Sequence, residues 1–108
     1  MEQLKQIIKG NPDTWFVVWM KNEQDCQTVF DTLSELGYEC TIPLKPFKEM
    51  WDDMCKESNY QFGVKIKTYS PDCSFNESLE HWKEYTREII EFKEDGTLGF
   101  IDDEEENN

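Results

Sequence analysis

Residues 15–42 read WFVVWMKNEQDCQTVFDTLSELGYECTI, and the apolar spacing changes twice within that stretch. Trp15 to Met20 is apolar on both alternating faces, the pattern of a central strand covered on each side. From Asn22, an N-cap residue, the spacing becomes helical. Cys26, Val29, Phe30, Leu33 and Leu36 recur at one-turn intervals, and Gly37 supplies the stop. Tyr38, Cys40 and Ile42 then alternate as a second strand, which Pro43 and Pro46 end. A strand, a tight helix and a strand in so few residues predict a βαβ unit with parallel strands and a right-handed crossover.

Upstream, Leu4, Ile7 and Ile8 fit one face of a short helix closed by Gly10, before the Asn11-Pro12-Asp13 break. Downstream, Phe47, Met50, Trp51, Met54 and Cys55 predict a further amphipathic helix. Phe62, Val64, Ile66 and Thr68 alternate with Gln61, Gly63, Lys65 and Lys67, a half-wet strand whose lysines suit a sheet edge. A loop is expected over Tyr69 to Ser74, with Ser74 and Glu77 as a capping box for a helix over about 77–90. Ile90 and Phe92 are set to pair with Leu98 and Phe100 across Glu94-Asp95-Gly96-Thr97, because Asp-Gly is a strong hairpin signal. Residues 88–91 are claimed by both the helix and the hairpin. The expected fold is a single compact α+β domain over residues 1–101: a βαβ unit, amphipathic helices on a small mixed sheet and a C-terminal β-hairpin. Residues 102–108 read as a disordered acidic tail.

A chain of 108 residues buries roughly two-thirds of the surface its unfolded form exposes, enough for a core without staples. Aromatics at 14% exclude a wholly disordered chain despite a net charge of −13. The first ten residues lack a signal-peptide apolar region, and the longest apolar run, Trp15 to Met20, is far too short to span a bilayer. The expected location is therefore the cytoplasm, where Cys26, Cys40, Cys55 and Cys73 stay as thiols. Alanine is absent and Arg87 is the only arginine. That bias is typical of AT-rich coding sequence and common in bacteriophage genomes.

The charge is uneven. Residues 1–71 carry 11 acidic and 8 basic side chains, a net of −3, whereas residues 72–108 carry 13 acidic and 3 basic, a net of −10. On the expected 77–90 helix, Glu77, Glu80, Glu84, Glu88 and Glu91 lie within roughly 80° of each other, nearly opposite an apolar stripe of Leu79, Trp82, Thr86, Ile89 and Ile90. Such a row would extend roughly 21 Å, with a line density comparable to that of phosphates on a DNA strand. Asp102, Asp103, Glu104, Glu105 and Glu106 would extend its field, and Tyr69 and Phe75 are candidate aromatic anchors beside it. This surface repels nucleic acid and anionic membrane and attracts a basic groove.

No other constellation has comparable specificity. The cysteines are 14, 15 and 18 residues apart, without a C-x-x-C pair, which disfavours a zinc site. Cys73 and His81, the only histidine, form no nucleophile motif, and the acidic runs lack the spacing of a calcium loop. No cofactor is expected. The leading expectation is a non-enzymatic inhibitor or modulator of a basic nucleic-acid-binding protein, such as a host defence, restriction or transcription factor, by a phosphate-mimicking face. Size, acidity and the missing catalytic motif match the profile of many phage-encoded inhibitors of the anti-restriction, anti-CRISPR and DNA-mimic types. An alternative is an interaction or assembly module with an apolar surface, at the strand Tyr60 to Thr68 or the helix Phe47 to Cys55. A third class, a small enzyme, would need converging carboxylates or Cys73 with His81.

Overall fold

In a computed structural model, the structure describes residues 1–42, 61–70, 72–76 and 79–101. The helix expected over Phe47 to Cys55, Glu77 and the tail from Asp102 lie outside the described residues. The elements run α1 (Glu2–Gly10), β1 (Trp15–Met20), α2 (Glu23–Glu35), β2 (Glu39–Ile42), β3 (Phe62–Lys67), β4 (Asp72–Asn76), α3 (Leu79–Tyr85), β5 (Ile89–Phe92) and β6 (Leu98–Phe100). The strands form one mixed sheet ordered β2-β4-β3-β1-β5-β6. With a Cα radius of gyration of 13.3 Å, close to the roughly 13 Å of a compact domain this long, this is a single α+β domain.

β1 is central, as its two-sided apolar pattern requires, with β3 antiparallel on one side and β5 parallel on the other. β1, α2 and β2 form the expected crossover with both strands running the same way. The strands are not neighbours, however, because β3 and β4 lie between them. The turn into α2 is closed reciprocally. The Asn22 side chain accepts from the Asp25 N–H at 2.9 Å, and Asp25 Oδ2 accepts from the Lys21 N–H at 3.0 Å. The C-terminal hairpin pairs Ile90 with Phe100 and Phe92 with Leu98. Gly96 takes φ 86° in its turn, where a side chain would be strained.

Among the described residues the sheet has two unequal covers. Residues from α1 and α2 pack on Phe16, Val18, Met20, Phe62, Val64, Ile66 and Ile90 to form the larger core. On the opposite face Trp82 of α3 joins Val17, Trp19 and Ile89, with Trp15, Leu79 and Ile101 packed around them.

Two strand expectations need correction. β3 is an interior strand, not an edge. Its lysines oppose Trp15 and Val17, on the face that α3 covers, and the Lys65 ammonium rests 4.3 Å from the centre of the Trp15 ring. Half-buried lysines here mark a partly covered face, where the stem packs on aromatic surface while the charge stays wet. Likewise, Asp72–Asn76 is strand β4, so Ser74 lies opposite Lys65 in a sheet and does not cap a helix.

The β6 edge is blunted locally. Gln3 of α1 donates through Nε2 to the Leu98 carbonyl at 2.9 Å and accepts through Oε1 from the Leu98 N–H at 2.8 Å. One side-chain amide thus satisfies both main-chain groups, as a neighbouring strand would.

Candidate functional site

The acidic row expected on one helix is divided among three local structures. α3 ends at Tyr85, with the Thr86 N–H bonded to the Trp82 carbonyl at 3.0 Å. Thr86 Oγ1 then accepts from the Glu88 N–H at 2.9 Å, a side-chain turn that diverts the chain from helix. Ile89 and Ile90 are buried on opposite faces beside β1, and strand pairing wins residues 89–92. Two adjacent β-branched residues gain burial on both faces of a sheet, whereas a helix would bury one side. Repulsion at the i, i+4 pairs Glu80/Glu84 and Glu84/Glu88 adds a small cost to any longer helix.

Glu80 and Glu84 therefore remain on α3, about 6 Å apart along the axis, and both are exposed. Glu88 stands in the connection to β5, also exposed. Among the described residues none of the three forms an ion pair. Glu91 differs. It sits on β5 with its side chain only 13% exposed, held at 3.2 Å by Lys21 and at 3.2 Å by Lys93. Its charge is thus neutralised within the fold. The continuous row of roughly 21 Å does not form.

The cations show the reverse pattern. Lys5 pairs with Glu35 at 2.6 Å, Lys21 and Lys93 hold Glu91, and Lys65 covers Trp15. Lys5, Lys21, Lys65 and Lys93 are thus engaged by the fold, while Glu80, Glu84 and Glu88 face solvent. Packing recruits these four lysines, whereas Lys9, Lys83 and Arg87 are exposed.

Of the aromatic candidates, Tyr69 lies in the turn after β3 and is 57% exposed. It borders a hollow of about 300 Å³ with Leu36 and Tyr38, whose hydroxyl donates to the Lys67 carbonyl at 2.6 Å. Phe75, expected beside the loop at the start of the acidic helix, stands on β4 opposite Val64 in the register. Two exposed aromatics escape sequence reading: Tyr85 at 64% and Phe100 at 63%. Tyr85 closes α3 with its ring 4.9 Å from His81, which also meets Trp82 edge-on at 5.0 Å. That three-ring patch lies beside Glu84, and its only sequence signal was the H-W-x-x-Y spacing on a short helix.

Cys73 and His81 do not converge. Cys73 is buried in the core under α1 and α2, whereas His81 belongs to the helix on the opposite face. The sheet separates thiol from imidazole. Among the described residues no three His, Cys, Asp or Glu side chains are placed to hold a metal ion, and no helix is long and apolar enough to cross a membrane. Comparison of the chain with protein-family models, with curated proteins and with solved structures finds no match.

Proposed function

We propose that this protein is a non-enzymatic binding module whose acidic C-terminal third docks on the basic, nucleic-acid-binding surface of another protein and modulates it. The observation that carries the reading is the division of labour among charges. Lys5, Lys21, Lys65 and Lys93 are engaged by the fold, while Glu80, Glu84 and Glu88 stay exposed and, among the described residues, without an ion pair. The sheet places these three carboxylates along the α3 to β5 segment, and Tyr85 and His81 supply aromatic surface beside them. Asp102 to Glu106 follow β6 after Ile101 in sequence and add to the field.

The mechanism is charge complementarity. Exposed like charges accelerate encounter with a basic surface and set its orientation, and the neighbouring aromatics give contact area that charge alone lacks. With Glu91 engaged internally, the mimicry of phosphates is a cluster rather than a rigid row.

The test is a pull-down from the natural host at low salt with elution at high salt, run in parallel on the double variant Glu80→Lys/Glu84→Lys. A nucleic-acid-handling protein retained by the native chain and lost from the variant is the expected result. Its affinity should fall on the order of tenfold or more from low to high ionic strength, since exposed pairs are screened within about 10 Å at 0.1 M salt. Retention unchanged by the variant and by salt would overturn the proposal.

A further inference from the structure

Helix α1 ends at Gly10, before it has covered the whole of the sheet face beneath it. The uncovered corner is a hollow of about 240 Å³ floored by Phe16 and Ile90, with Phe100, Trp15 and Glu88 around it and Asn11 at the helix end. The register explains this grouping. Val17 pairs with Ile89 in parallel, which brings Glu88 beside Phe16, and Ile90 opposes Phe100 across the hairpin. Glu88, the residue before β5, and Ile90 within it both line the hollow, so an acidic residue stands at the end of an apolar floor.

Three features select one kind of occupant. The volume is below the roughly 300 Å³ at which small-molecule pockets begin, so it suits a single side chain. Its walls are aromatic and aliphatic, while its exposed charge is the Glu88 carboxylate, which among the described residues has no ion pair. The C-terminal end of α1 is also present: Ile7 lines the hollow, and the Asn11 side chain donates to the Ile7 carbonyl at 2.7 Å. The helix terminus adds partial negative charge. An apolar stem ending in a planar cation matches all three, because a guanidinium stacks on aromatic rings and takes a carboxylate in bidentate fashion. The fold already rests one cation on a ring, with Lys65 over Trp15.

We propose that this hollow seats an arginine side chain of the basic partner, with Glu88 as its counter-ion and Phe100 as its exposed aromatic wall. It rests on the reading of the partner as basic, and it adds a short-range anchor to an attraction that is otherwise long-range. Phe100, 63% exposed on an edge strand, is then a contact residue and not an accident of the hairpin end.

The experiment is a titration of the full, isotope-labelled chain, followed by amide chemical shifts, with three capped pentapeptides: Gly-Gly-Arg-Gly-Gly and its Lys and Leu counterparts. The arginine peptide should shift Asn11, Trp15, Glu88 and Phe100 saturably and bind about tenfold more tightly than the leucine peptide. Glu88→Gln and Phe100→Ser, both at exposed positions, should each weaken it about fivefold. Tighter binding of the leucine peptide, equal binding of the lysine peptide, shifts spread evenly over all exposed carboxylates, or indifference to both groove variants would each overturn the anchor. The two proposals fail separately. Groove binding that persists while host capture ignores salt removes the partner reading, whereas salt-sensitive capture without groove binding removes only the anchor.

Discussion

The two faces of the sheet bury aromatic and aliphatic side chains by different means. Under α1 and α2 the core is redundant, with Leu4, Ile8, Cys26, Val29, Phe30 and Leu33 clustering with residues of β1, β3, β4, β5 and β6. Under α3 it centres on a large side chain. Among the described residues Trp82 is the helical member of the buried cluster with Val17, Trp19 and Ile89, and Leu79 packs against it. Gly63 makes that possible: a Cβ there would fall 2.5 Å from the Trp82 indole nitrogen, 2.8 Å from Cδ1 and 3.0 Å from a Val17 methyl. A long amphipathic helix covers a sheet by many small contacts. A seven-residue helix needs one large side chain and a glycine beneath it.

Phe62 and Gly63 are neighbours on β3 that address opposite faces, so two adjacent substitutions probe the contrast. Phe62→Ala empties a fully buried site in the redundant core and should cost about 3–5 kcal/mol, read as a lower urea midpoint with an unchanged slope. A loss below about 1 kcal/mol would mean the larger core is not the one that sets global stability.

Gly63→Ala should cost less, about 1–3 kcal/mol, because the added methyl meets the indole and forces a local shift. The cost should be regional. Amide exchange should rise in Leu79–Tyr85 while Val29 to Leu33 keep their protection. In a Trp82→Leu background the same substitution should become nearly neutral, a coupling that a double-mutant cycle measures directly. Uniform loss of protection on both faces would show that the α3 cover is not a separable unit.

This asymmetry also explains what the sequence revealed. β1, α2 and the hairpin were legible because each carries its own local signal: two-sided apolarity, one-turn spacing from an Asn22 cap, and the Asp95-Gly96 turn. The α3 region was not. Ile89 and Ile90 satisfy a helical stripe and a strand alternation equally well, and only pairing with β1, more than 65 residues away in sequence, decides between them. The acidic site inherited that ambiguity. Glu80 and Glu84 were placed correctly because they precede the conflict, whereas Glu88 and Glu91 moved with the strand. The separation of β1 from β2 was hidden for a similar reason, since local spacing gives the sense of a crossover but not how many strands enter between. Nor could sequence place Glu88 beside Phe16 and Phe100, which join only through sheet register.

The smallest effect concerns the rim of the redundant face, where Lys5 of α1 meets Glu35 of α2 at 2.6 Å. The Lys5 hydrogen bond, and then its charge, hold the Glu35 pKa below the ordinary glutamate value; the same bond raises that of Lys5. For Glu35, whose folded pKa is lowered, the stabilisation is present above the unfolded value of about 4.3 and is lost as pH falls through the folded one. For Lys5, whose folded pKa is raised, it is present below about 10.4 and is lost as pH rises through the folded one. The pair should therefore contribute across the whole neutral range. Thermal midpoints of the native chain and Glu35→Gln should differ by a small constant amount from about pH 6 to pH 9 and converge in acid. Salt should shrink the gap, because Glu35 is exposed and Lys5 only half-buried. On the opposite face the Lys65 contact with Trp15 has no carboxylate to protonate. A Trp15→Leu difference that stays open in acid, while the Glu35→Gln difference closes, would separate an ion pair that ties two helices from a cation resting on a ring.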